Sequence, residues 1–160
     1  MNRDRDISGR PRNARPRDAL GRPLPRDATG EPGTPDDLEL PAATALAEAQ
    51  RLIDADRPFH AHEVLEASWK VAAPAERDLW QGLAQIAVGL THAHRGNSSG
   101  AVALLRRGAD GIRPYGASAA SAYGVDVARA VMETERLAER IERHGLDGLP
   151  PSDLHPRLLA

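Results

Sequence analysis

Two stretches of this 160-residue chain place polar side chains where a helical face would otherwise be apolar. In the run FHAHEVLEASWK, residues 59–70, a rotation of about 100° per residue brings His62, Glu66 and Trp69 to one side, because they stand four and three residues apart. Trp69 shields that side from water. In the run LWQGLAQIAVGLTH, residues 79–92, Leu79, Leu83, Ile86 and Leu90 form an apolar stripe, while Gln81, Gln85 and His92 share a second stripe with Val88. Two long uncharged amides on one face are unusual for a solvated surface, which favours Glu, Lys and Arg. If the two helices fold back so that these stripes meet, His62, Glu66, Gln81, Gln85 and His92 form one polar cluster inside a bundle.

Three chemistries fit such a cluster. A His and a Glu at i and i+4 project in parallel and can both ligate a divalent metal, with His92 as a third ligand. Glutamine is a poor ligand, and a two-metal site needs more inward carboxylates than these helices offer. The run HEVLE, residues 62–66, has glutamate where the zinc-protease pattern H-E-x-x-H has its second histidine, so that chemistry is rejected. Alternatively, Glu66 partly desolvated beside Trp69 exchanges protons with His62, in an acid/base or polar-ligand site. The plainest reading is a buried hydrogen-bond network that fixes helix register without catalysis. No phosphate loop, serine elbow or dinucleotide fingerprint accompanies the cluster. His60, His94, His144 and His155 are read as solvated.

The elements that must position these residues follow from apolar spacing and breakers. Ala42–Ala55 reads as a first helix carrying Leu46, Ala49, Leu52 and Ile53 on one stripe. Pro58 opens a second helix to about Ala72, and Pro74 opens a third to Arg95, which Gly96 and Asn97 end. A serine cap, Ser98 or Ser99, starts a fourth helix with Val102, Leu105, Ala109 and Ile112 on one face, weakened by Gly108 and Gly111 and stopped by Pro114. Asp126 caps a fifth, whose Val127, Ala130, Val131, Thr134, Leu137, Ala138 and Ile141 form its buried stripe until Gly145. Five helices joined by short loops predict an all-α, five-helix antiparallel bundle. Twenty-eight alanines and only five aromatic residues suit helices that approach closely and argue against a sheet.

The ends differ from this middle. Residues 1–40 hold six prolines and almost no large apolar side chain, and read as a disordered Arg/Pro-rich arm. Eight arginines between Arg3 and Arg26 precede an acidic stretch from Asp27 to Glu39, so the arm's charges cancel. Interleaved aspartates and the lack of stacking aromatics argue against a nucleic-acid arm. The helical domain is expected over residues 41–146 and a tail over 147–160. With no cysteine, thiolate metal sites, disulfides and cysteine nucleophiles are excluded. No stretch approaches the length of a membrane span and no secretory leader opens the chain, so a soluble cytoplasmic protein is expected. The fifth helix could also pair between chains as a homo-oligomer.

The same two stretches carry a resemblance. His62, Glu66 and Trp69 match H-x-x-x-E-x-x-W, Gln81–Gln85 matches Q-G-L-x-Q, and a Gly-Asn turn follows at residues 96–97. In this the chain resembles the small helical family known as domain of unknown function 309, over roughly residues 42–115. The resemblance implies a five-helix bundle and a metal-binding role for His62 and Glu66. The family has no established reaction, and the resemblance supplies none. Two functions are therefore expected as alternatives: a protein that binds a divalent metal or small polar ligand at the cluster, or a non-enzymatic helical scaffold or interaction module in which the cluster is structural.

Overall fold

The computed structural model describes residues 40–117 and 123–160; the arm expected over residues 1–40 lies, apart from Leu40, outside them. Five α-helices follow in order: α1 (Ala42–Asp54), α2 (Pro58–Val71), α3 (Arg77–His94), α4 (Ser98–Ile112) and α5 (Val127–His144). Each packs on its neighbour in sequence; short connections make α1 to α4 successively antiparallel, while a longer connection, residues 113–126, leads from α4 to α5. No strand occurs among the described residues; the sole β pairing there is an isolated bridge between Val125 and Leu159. None of the helices is long and apolar enough to cross a membrane.

The predicted stripes become the core. Leu46, Ala49 and Ile53 of α1, Leu79, Leu83, Ile86 and Leu90 of α3, Leu105, Ala109 and Ile112 of α4, and Ala130, Leu137, Ala138 and Ile141 of α5 are all buried. Local chemistry sets the helix ends. Pro58 occupies the first turn of α2, where no N–H is needed. Pro74 opens a 3₁₀ turn, Pro74–Glu76, and α3 proper begins only at Arg77. The cap of α4 is Asn97 and neither serine: its Oδ1 accepts from the backbone N–H of Gly100 at 3.0 Å. Asp126 caps α5 as expected, accepting from the N–H of Arg129 at 3.1 Å. Gly145 ends that helix with φ of 70°, a left-handed conformation that glycine adopts without cost.

Two features depart from expectation. Gly108, expected to weaken α4, lies in its tightest seam: a Cβ there would sit 2.6 Å from the Gly82 carbonyl oxygen and 2.6 Å from Ile86. Gly82 and Gly89 of α3 are equally closed, by Ile112 and Leu105. These three glycines let the α3 and α4 backbones approach closer than side chains permit. The second departure is the closing segment, which lacks a helix but does not hang free. Leu154, within the 3₁₀ turn Pro151–Leu154, and Leu158 are buried, and the N–H of Asp126 donates to the Leu158 carbonyl at 2.9 Å. Three prolines break any helical period here, so the two leucines show no stripe in the sequence, yet both side chains join the apolar core.

Candidate functional site

The α2 face begins with backbone geometry: residues 62, 66 and 70 fall one above another at successive turns. His62 Nε2 stands 3.3 Å from Glu66 Oε2, and the other carboxylate oxygen, Oε1, is 3.9 Å from Lys70 Nζ. An imidazole, a carboxylate and an ammonium thus form a ladder along one helix. The His62 side chain is 23% exposed and Glu66 is 39% exposed, so the ladder is half-buried at its imidazole end and open to water at the other. Burial pushes the His62 pKa below the ordinary imidazole value; the Glu66 charge opposes that shift and Lys70 adds to it. Phe59 lies beside the His62 ring, with ring centroids 5.8 Å apart, and Trp69 packs partly buried against the core.

Of the wider cluster expected from the sequence, His92 does not join His62 and Glu66 in a group of three, and Gln81 does not face inward. Gln81 is exposed, Gln85 is half-buried, and His92 is engaged at the α3–α4 turn. Asn97 Nδ2 lies 3.1 Å from His92 Nδ1. Since the Asn97 Oδ1 is occupied by the Gly100 N–H, the amide nitrogen must face the ring and donate, leaving His92 with its proton on Nε2. The physical reason is rotational: residue 92 lies at the last turn of α3, where the turn polar groups compete for it, and residue 81 lies on the solvent side of the second.

A resident metal does not fit this donor set. His62 and Glu66 supply two ligands from one helix, and the described residues contain no group of three His, Cys, Asp or Glu placed to hold a metal ion. A metal-bound histidine ordinarily donates its second ring N–H to a carbonyl or carboxylate. The Nδ1 of His62 is buried with no hydrogen-bond partner among the described residues. The ammonium of Lys70 also competes for the same carboxylate.

Three histidines expected to be solvated differ from that: His60 is buried, and His94 and His155 are partly buried beside a carboxylate. His60 is buried, 6% exposed, with its ring edge-on to Phe59. His155 Nε2 lies 2.7 Å from Asp56 Oδ1, and His94 Nε2 lies 3.9 Å from that same oxygen. Asp56 has φ of 60°, the one non-glycine residue in the left-handed region among those described. The α1–α2 turn, the end of α3 and the closing segment therefore meet at one carboxylate. Burial pushes the His94 pKa down, against the attraction of Asp56, and its Nε2 has no hydrogen-bond partner among the described residues. Nothing in the apolar period signals this junction, because the three residues lie 38 and 61 positions apart along the chain in connecting segments or at a helix end. His144 is exposed, as expected.

Residues 46–104 match the family model described as Domain of unknown function (DUF309). The DUF309 match runs from α1 to α4 and contains the α2 ladder, Asp56 and His94, but neither α5 nor His155. The resemblance read from the sequence holds over that span. The chain is also similar to the uncharacterized protein YpuF of Bacillus subtilis (strain 168), 37% identical over 87 residues, which are 52% of this chain and 48% of that protein. The chain thus spans about half the length of this relative. No solved structure matches the chain.

Proposed function

We propose that the α2 face of this DUF309 domain binds a small polar ligand through His62, Glu66 and Lys70. The observation that carries this reading is the ladder itself: an imidazole and an ammonium 3.3 and 3.9 Å from the two oxygens of one carboxylate, beside Phe59. Such a row offers an ammonium donor and a carboxylate acceptor in fixed spacing, with the imidazole Nε2 beside the carboxylate and Nδ1 buried, which suits a molecule that carries both a hydrogen-bond donor and an acceptor, such as a zwitterion or an amide. A divalent cation is the narrower alternative, and it needs ligands from the bound molecule to complete its shell.

Elemental analysis after exposure to zinc and manganese, with thermal-shift screening of amino acids and amides, tests the reading. The expected result is no stoichiometric metal, and a stabilising small molecule whose effect disappears in both His62→Ala and Glu66→Gln. One metal ion retained per chain, lost in either variant, overturns it in favour of a metal site. The scaffold reading has one observation of its own, since the His62–Glu66 pair also ties two turns of α2 together. It gains if both substitutions lower the melting temperature of metal-free protein and no screened molecule shifts it.

A further inference from the structure

An open cleft of about 300 Å³ lies where α5 faces the closing segment, lined by Glu133, Arg136, Arg140, Ser152, Asp153 and His155. Its charges are not all satisfied internally. Glu133 accepts from the Arg129 side chain at 3.1 Å and from the backbone N–H of Arg157 at 2.5 Å. Asp153 pairs with Arg140 at 2.5 Å, and the His155 ring is held by Asp56 at 2.7 Å. Both lining carboxylates are therefore committed to cations or N–H donors. Arg136 is the lining guanidinium with no carboxylate partner among the described residues. It stands one helical turn before Arg140 on the same side of α5, so the two forks project together. Ser152 lines the same cleft from the 3₁₀ turn Pro151–Leu154.

A lone exposed arginine is ordinary surface. Here it opens onto a shallow, water-open volume of about 300 Å³, at the lower end of the range of small-molecule sites. A second arginine and a serine line the same space, and the lining carboxylates already hold partners. Guanidinium forks match the planar or tetrahedral oxygens of carboxylates and phosphates in pairs of hydrogen bonds. We infer that this cleft binds a small molecule through an oxyanion group, with Arg136 as its charge partner and Arg140 and Ser152 as further donors. The site is separate from the α2 ladder and lies outside residues 46–104, so it belongs to the part of the chain that the family match does not cover.

Isothermal titration of the full chain with inorganic phosphate and, separately, with citrate at fixed ionic strength tests the inference. A saturable heat with either anion is expected, phosphate alone marking a phosphoryl ligand and citrate alone a carboxylate ligand. Arg136→Ala should weaken that binding by about tenfold or more, the loss typical of a charge-assisted hydrogen bond. Ser152→Ala should weaken it by a smaller factor. Arg107→Ala removes an exposed α4 arginine outside the cleft and should leave it unchanged. No saturable heat with either anion overturns the inference. So does equal weakening by Arg107→Ala and Arg136→Ala, which would mean diffuse charge attraction. Arg136 is exposed, so a helical circular-dichroism melt matching wild type is the expected control.

Discussion

Single side chains take work here that the chain's composition would assign to secondary structure. Gln50 is 5% exposed, and its amide replaces a strand neighbour for the closing segment: Nε2 donates to the Pro156 carbonyl at 3.2 Å and Oε1 accepts from the Leu158 N–H at 2.8 Å. Removing it strands two backbone groups that water does not reach. Gln50→Ala should therefore lower stability by about 2–4 kcal/mol, from two unsatisfied buried groups at 1–3 kcal/mol each with partial relaxation. Urea denaturation checks this, and proteolysis near Pro156 should accelerate in the variant. The α2 pair was legible at this scale, since i and i+4 spacing fixes His62 beside Glu66 whatever surrounds them. The reach of Gln50 was not, because residues 106 and 108 positions away in sequence meet it only after the bundle has formed.

Helix boundaries and buried faces follow from local rules, and the five α-helices fall where periodicity and breakers put them. Glycine in a helix is where those rules mislead. Propensity alone makes Gly108→Ala worth up to about 1 kcal/mol of added stability. The seam between α3 and α4 reverses that sign, because the added methyl would meet the Gly82 carbonyl and Ile86 at 2.6 Å. Moving apart two packed helix backbones costs typically ~1–3 kcal/mol. Gly108→Ala is expected to destabilise by that amount, read from chemical denaturation. Gly145→Ala, where a Cβ meets nothing but φ is 70° and ψ is −171°, should cost about 1–3 kcal/mol through backbone strain alone. Comparing the two separates crowding from conformation.

For the molecule as a whole, the burial of neutral imidazoles makes stability depend on pH. His62 and His94 both have folded-state pKa values below the ordinary imidazole value, chiefly through loss of water. The unfolded chain then binds more protons than the folded one as pH falls through the histidine range, and stability falls with it. The melting temperature should be highest above about pH 7 and decline between about pH 7 and pH 5. A His62→Gln, His94→Gln double variant should flatten that slope; an unchanged slope would place the linkage elsewhere. The sequence by itself determined the helical class, the stripes that become the core and the His62–Glu66 pair, because each depends on spacings within one or two helical turns. Tertiary structure alone decided that Gln81 and His92 stay out of a common cluster, that Asp56, His94 and His155 meet, and that the closing leucines are buried. Those outcomes depend on how helices are rotated and how closely they approach. That is set by the summed packing of the whole core and by glycine seams, for which no local pattern in the chain is a sufficient record.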